Sequence, residues 1–330
     1  MKNFVTAGLI FLFFFVVGYF IGNYDFGSNS NSVKRERILM GTVIEIIIRD
    51  VPELEANEAI NKAFDEISRI DNIFSSYNDI SNVYTINKNL SEEIVITPEI
   101  YFVLSKCDEI YKTTNGAFDV STGNIIKLWD FAAVNPAIPN DSSLAVSLSN
   151  SGWKNVELKN DSILIKKKNV SFNFGAIAKG YAVDCAAKVL SDLNITEYLI
   201  NAGGEIRTSG KNWKIGIQHP RKTNEILKTL LIENVSVATS GDYEQYFEIA
   251  GKRYHHIINP ANGYPANGCQ SVTIIADDDL TADAYATGIF VMGFKNGMEL
   301  IERKTSIEGM IISDSGEVFL SSGFNKYVWR

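Results

Sequence analysis

The chain has 330 residues and a formal net charge of −8 at pH 7, with 45% hydrophobic and 21% charged residues. That is ample material for a large globular core, and the acidic balance argues against a nucleic-acid surface. Three cysteines, Cys107, Cys185 and Cys269, are too few and too scattered for a disulfide framework or a zinc site.

Residues 4–22, "FVTAGLIFLFFFVVGYFIG", carry no charge, and Thr6 is their only clearly polar group. At about 1.5 Å per residue the run is just long enough to span a membrane. No Ala-x-Ala-like cleavage site is obvious and no lipid-accepting cysteine follows. An uncleaved signal anchor is therefore the first reading and a cleaved signal peptide the second, with the body of the chain outside the cytoplasmic membrane. The expected organisation is a membrane segment at 1–22, a flexible tether at 23–37 that is rich in Asn, Ser and Gly, and one domain at 38–330.

"RILMGTVIEIIIRD" has the β-branched density of a strand, with Gly41 as a bulge. The next stretch repeats Leu54, Ile60, Phe64, Ile67 and Ile70 at helical spacing behind Pro52. Thr97 and Pro98 open another helix, which Asn115-Gly116 closes. Residues 131–150 read as a surface excursion, and Lys166-Lys167-Lys168 as a solvated turn or edge strand. Strands then dominate after a helix in "GAIAKGYAVDCAAKVLSDLN", a further helix starts at "TADAYATG", and "IEGMIISDSGEVFLSSG" supplies the last strands. Helices grouped around mostly antiparallel strands predict the α+β class in a single domain.

Three stretches carry chemistry. "NFGAIAKGYAVD" enters a helix, where glycines let backbone N–H groups approach an anion and Lys179 adds a cation; a plain strand-to-helix turn with a snorkelling lysine is the other reading. It contains neither a Walker loop nor a G-x-G-x-x-G fingerprint. His255 and His256 are adjacent in a strand-like run near Glu244, so they face opposite sides and only one can enter a site. Asp283 and Thr287 stand four apart, which stacks a carboxylate and a hydroxyl on one helix face. Such an oxygen pair suits magnesium. Equally, Asp283 could cap the first turn while Thr287 bonds back to its own helix.

The succession "MGT", "FSSYND", "GAFDVSTG", "LWDF", "NFGAIAKGYAVD", "INAGGEIRTSG", "SGDYEQYF", "YHHIINPANGYP" and "TADAYATG" resembles the FAD:protein FMN transferases, the ApbE family, from about residue 38 to the C-terminus. The resemblance implies a T-fold-related α+β domain with mostly antiparallel sheets and flanking helices, binding magnesium and FAD. It implies transfer of FMN from FAD to a Thr or Ser hydroxyl of an acceptor protein as a phosphoester, with release of AMP. The acceptor would be an extracytoplasmic protein such as a subunit of a membrane redox complex, bearing an Asp-x-x-Ser/Thr-Gly-Ala-Thr-like signature. This chain contains no Gly-Ala-Thr or Gly-Ala-Ser, so it is not expected to modify itself.

By the same resemblance, Met40, Tyr77, Ala117, Phe118, Asp119, Asn173, Lys179 and Ile258 match FAD-contacting positions. Ala176 (through its carbonyl), Asp283 and Thr287 match metal positions, and His256 matches the histidine near the reacting phosphate, where it would accept the proton of the incoming hydroxyl or orient it. Ala286 stands where relatives carry a second acid, Asn173 where many carry aspartate, and Asn124 where proline is usual. Two rival readings keep the same pocket: an FAD pyrophosphatase giving FMN and AMP, and an anchored flavin-binding module without turnover.

Overall fold

The computed structural model describes residues 32–330. The segment expected to enter the membrane lies outside the described residues, and no helix among them is long and apolar enough to cross one. The chain opens with β1 (Ser32–Leu39) and β2 (Thr42–Arg49), an antiparallel hairpin in which Leu39 faces Thr42. Sequence reads a single strand here; the break comes at Met40 and Gly41, whose φ values of 51° and 75° make the left-handed two-residue turn that matches strand twist. β1 also takes up residues 32–37, which were expected in the tether. Its run of Lys34, Arg35, Glu36 and Arg37 looks solvated because β1 is an edge strand, held through backbone pairing to β2.

α1 (Glu53–Phe74) buries Ala56, Ile60, Ala63, Phe64, Ile67 and Ile70, while Leu54, counted on the apolar face in sequence, is 76% exposed in the first turn. Ser81 caps α2 (Asn82–Lys88), which leads to the short β3 (Glu93–Val95). Thr97 accepts from the Ile100 amide and Pro98 sits in the first turn of α3 (Pro98–Thr113), as their order in sequence predicts. α4 (Gly123–Trp129) follows. The expected surface excursion contains α5 (Asp141–Ser149), capped by Asn140 and anchored by buried Leu144.

β4 (Val156–Lys159) and β5 (Ile163–Lys166) join β3 in a small sheet of order β3-β5-β4. β5 is therefore central rather than an edge, and Lys166 is buried. Its ammonium donates to the carbonyls of Ile86 (2.9 Å), Asn89 (2.7 Å) and Val170 (3.4 Å), which replace the water expected around it.

After α6 (Ala178–Asp192) come β6 (Tyr198–Ala202), β7 (Ile206–Ser209), β8 (Trp213–His219), β9 (Lys222–Ile232), β10 (Ser236–Gly241), β11 (Tyr246–Ile249), β12 (Lys252–His255) and β13 (Cys269–Ala276), then α7 (Asp279–Arg303), β14 (Ile307–Ser313) and β15 (Val318–Leu320). The main sheet runs β1-β2-β6-β7-β10-β13-β14-β15 with antiparallel neighbours throughout. Its central strands are buried on both faces. Ile44, Ile46 and Ile48 of β2 join a core with α1, α6 and α7, whereas Ile47 points to a second core closed by Trp213, Ile215 and Leu230 of the β8–β9 hairpin. This explains why β2 reads as one apolar run rather than an alternation. The α+β class with mostly antiparallel sheets and flanking helices holds.

Candidate active site

Five pieces of chain meet at one end of the large sheet: the start of α6, the β6–β7 turn, the loop after β10, the end of β12 and the first turns of α7. One close approach is at Gly180. A Cβ there would lie 2.4 Å from the carbonyl oxygen of Asp279 and 2.9 Å from the Asp283 Cβ, so only glycine lets α6 and α7 touch backbone to backbone. Its amide donates to Asp283 Oδ2 at 3.0 Å. Asp278, not Asp283, caps α7, accepting from the Thr281 amide at 2.8 Å. The Thr287 hydroxyl lies 3.1 Å from that of Ser240. The capping account of Asp283 thus finds no counterpart here, and both oxygens stand on the α7 face turned toward α6 and β10.

Lys179, one residue before Gly180, is ion-paired to Glu205 Oε1. Glu205 follows the "NAGG" turn, where Gly203 (φ 72°) passes so close to Thr42 that a Cβ would meet its hydroxyl at 2.3 Å. The other oxygen of Glu205 is buried without a partner. Burial pushes the Glu205 carboxyl up against the pull of Lys179, with Asp283 and Glu244 adding to the rise. Burial likewise raises Glu244 to about 7 and lifts Asp283, the latter opposed by Lys179 and the Gly180 amide. Burial disfavours the charge on Lys179, yet the surrounding Glu205, Asp283 and Glu244 carboxylates hold its pKa above the usual lysine range. Sequence assigns Lys179 to phosphate; in the fold its ammonium already serves Glu205.

His255 and His256 face opposite ways. The His255 ring is buried, with Nε2 at 3.0 Å from the Ala266 carbonyl and its ring edge-on to Phe290. The His256 ring turns to the acid cluster, with Nδ1 3.3 Å from the Gln245 carbonyl and Nε2 3.9 Å from Glu244 Oε2. Burial, His255 and Lys179 together lower its pKa to about 4, against the Gln245 carbonyl, so the imidazole is neutral at pH 7.

The remaining expected residues form the surroundings. Asn173 donates from its amide to the Val120 carbonyl (2.8 Å), accepts from the Gly175 amide (2.9 Å) and reaches Ser76 Oγ (3.4 Å). It thereby ties the "NFG" loop, which carries Ala176, to the "FSSYND" and "GAFD" segments. Tyr77 is 78% exposed beside that junction. Met40 occupies the β1–β2 turn, with its amide 3.3 Å from Asp71 Oδ2. Ala117 is half-buried, but Phe118 is 1% exposed and packs in the core. Asp119 spends one oxygen on Ser121 and the other on the Trp153 amide (3.0 Å), so its carboxylate clamps the chain locally. Ile258 lies in a separate apolar cluster with Trp129, Leu144 and Tyr254, joining the "LWDF" and "HHIINP" stretches.

Sequence reasoning passed over Glu205 as a site residue and gave Glu244 no role. An acid directly after the "NAGG" turn was the available signal for the first. Among the described residues no group of three or more His, Cys, Asp or Glu side chains is arranged to hold a metal. The expected donors are a carboxylate, a hydroxyl and a carbonyl, which is a different kind of set. Their setting suits a divalent cation: three carboxylates surround one lysine, and a buried oxygen of Glu205 lacks a partner.

Comparison with known proteins agrees over most of the chain. A family model described as "ApbE family" matches residues 40–311. The chain is 33% identical over 304 residues to the FAD:protein FMN transferase of Haemophilus influenzae, covering 86% of this chain and 87% of that one. It is 30% identical over 290 residues to one from Klebsiella pneumoniae, covering 86% and 90%. Among solved structures, the ApbE protein from Thermotoga maritima superposes with a TM-score of 0.85 at 30% identity, covering 91% of this chain and 100% of that one. The flavin transferase ApbE from Vibrio cholerae gives 0.79 at 27% identity, again covering 91% and 100%.

Proposed function

The chain belongs to the ApbE family, and from that premise we propose that it is a magnesium-dependent FAD:protein FMN transferase. It attaches FMN through a phosphoester to a Thr or Ser hydroxyl of an acceptor protein and releases AMP. The observation that carries this reading is the gathering of Glu205, Asp283 and Glu244 around Lys179, with a neutral His256 beside Glu244. Simple flavin retention needs neither a base nor a surplus of buried carboxylates.

In this reading Asp283, the Thr287 hydroxyl and the Ala176 carbonyl would hold magnesium, which when bound would offset the charge of the diphosphate and of the departing AMP. Lys179 and Glu205 fix each other and keep Asp283 facing the Gly180 amide. His256 accepts the proton of the incoming hydroxyl at Nε2. The turn at Met40 and the junction of Ser76, Tyr77, Ala117 and Asn173 supply the flavin contacts. Residues 4–22 hold the domain on the outer side of the cell membrane, where an acceptor such as a redox-complex subunit is found.

The test is to incubate the full chain with FAD, magnesium and an acceptor domain carrying an Asp-x-x-Thr-Gly-Ala-Thr sequence, then weigh every species. An acceptor heavier by one FMN, with one AMP released, is expected. Free FMN without adduct would make the chain a pyrophosphatase, and unchanged FAD would leave a binding module. Fractionation of the native protein with membranes, accessible to protease from outside, tests the location.

A further inference from the structure

We propose that Glu244 is the carboxylate partner of His256, holding the imidazolium that forms when the acceptor hydroxyl gives up its proton. The inference rests on the transferase reading and adds a residue to it. The geometry begins at Gln245, whose carbonyl receives both the His256 amide (3.0 Å) and Nδ1 (3.3 Å). A carbonyl only accepts, so the Nδ1 contact requires hydrogen there and leaves Nε2 as the bare acceptor. Nε2 is the atom turned to Glu244, 3.9 Å from Oε2. That is too long for a hydrogen bond but within ion-pair range once the ring is charged.

The arrangement is built by the hairpin. Tyr246 of β11 pairs with His255 of β12, so Gln245 and His256 are the next partners along the ladder and Glu244 falls beside the ring. The need for a partner comes from the surroundings. Burial disfavours positive charge on this ring, His255 and Lys179 add to that, and the Gln245 carbonyl opposes them.

In the transfer step the acceptor O–H bond breaks, its proton passes to Nε2, and the oxygen forms the new bond to the FMN phosphorus. The phosphorus–oxygen bond to AMP breaks, and AMP leaves with that electron pair. The imidazolium then faces Glu244, whose raised pKa lets it take the proton on from Nε2. With side chains 31% and 27% exposed, His256 and Glu244 can return the proton to solvent before the next cycle. Glu244 acts through His256, so it is a positioning residue.

The test is a double-mutant cycle on the full chain with FAD, magnesium and the same acceptor domain. Glu244→Gln keeps the size and shape of the side chain but removes the charge. It should lower kcat about 10- to 100-fold and leave the KM for FAD within about threefold. In a His256→Ala background the same change should have almost no further effect. Glu244→Asp should recover part of the rate, and it serves as the reporter should the glutamine variant fold poorly. Equal losses in both backgrounds, or a loss carried by KM, would show that Glu244 only braces the loop and overturn the inference. If the native chain transfers FMN and Glu244→Gln matches it, this inference alone falls. If the native chain modifies no acceptor, the transferase reading falls first and takes this one with it.

Discussion

Replacing Gly180 with alanine gives the site its sharpest structural test, because two effects of opposite sign are predicted at one atom. Gly180 lies inside α6 with no positive φ, so helix propensity alone favours alanine by about 1 kcal/mol. The new methyl, however, would sit 2.4 Å from the Asp279 carbonyl oxygen, 2.7 Å from its carbonyl carbon and 2.9 Å from the Asp283 Cβ. Two of those three atoms are backbone, so no rotamer change relieves them, and α6 and α7 must separate by roughly an ångström. Overpacking of this kind costs about 3 kcal/mol at the upper end of its usual range. The net loss is then about 2 kcal/mol, or a fall in Tm of about 4 °C for a domain of this size. Separation also stretches the Gly180–Asp283 hydrogen bond of 3.0 Å, so magnesium should be needed at higher concentration to reach half-maximal transfer. Thermal melting and a magnesium titration of the same variant read both effects. A variant as stable as the native chain, or more so, with unchanged magnesium dependence would refute the close crossing of α6 and α7 and the placement of Asp283 that depends on it.

Asp283→Ala should lose turnover by about 100-fold or more while retaining flavin binding, and Thr287→Ala should lose less, because a neutral oxygen is removed rather than a charged one; steady-state kinetics with flavin fluorescence separates the two. His256→Ala should lower transfer by about 100- to 10,000-fold, leaving a measurable residual rate, with little change in Tm. His255→Ala, which empties a buried position against Phe290, should lower Tm and keep most transfer at temperatures below the melt. Asp184 accepts the Asp279 and Leu280 amides beside Asp278 and Arg207, and burial raises its pKa from 3.8 to about 6. A raised carboxyl pKa means the folded chain binds the proton more tightly, so this group's contribution falls as pH rises from about 4 to 6 and stays low above, by at most about 3 kcal/mol. Urea unfolding at pH 4.5 and 7 should therefore favour Asp184→Asn over the native chain more at the higher pH, and a difference that does not change with pH would contradict the assignment.

The sequence by itself determined what is local. Thr97-Pro98 and the apolar spacing behind Pro52 specify helices because caps and periodicity act within a few residues. The adjacency of His255 and His256 determined that only one could enter a site, since a strand turns successive side chains to opposite faces. The four-residue step from Asp283 to Thr287 put two oxygens on one face of α7. What only the tertiary structure decided is which of these groups meet. Glu205 claims Lys179, an association set by where the β6–β7 turn lands beside α6. Gly180 and Asp283 are 103 residues apart and touch only because α6 and α7 cross on the same side of the sheet. Lys166 and β1 show the same limit from the other direction. Charged residues look solvated in a sequence, but the carbonyls of distant Ile86 and Asn89, with that of nearby Val170, bury the first, and backbone pairing with β2 makes a strand of the second. Local patterns record the preferences of one stretch of chain, whereas burial and charge pairing depend on what the rest of the fold brings against it.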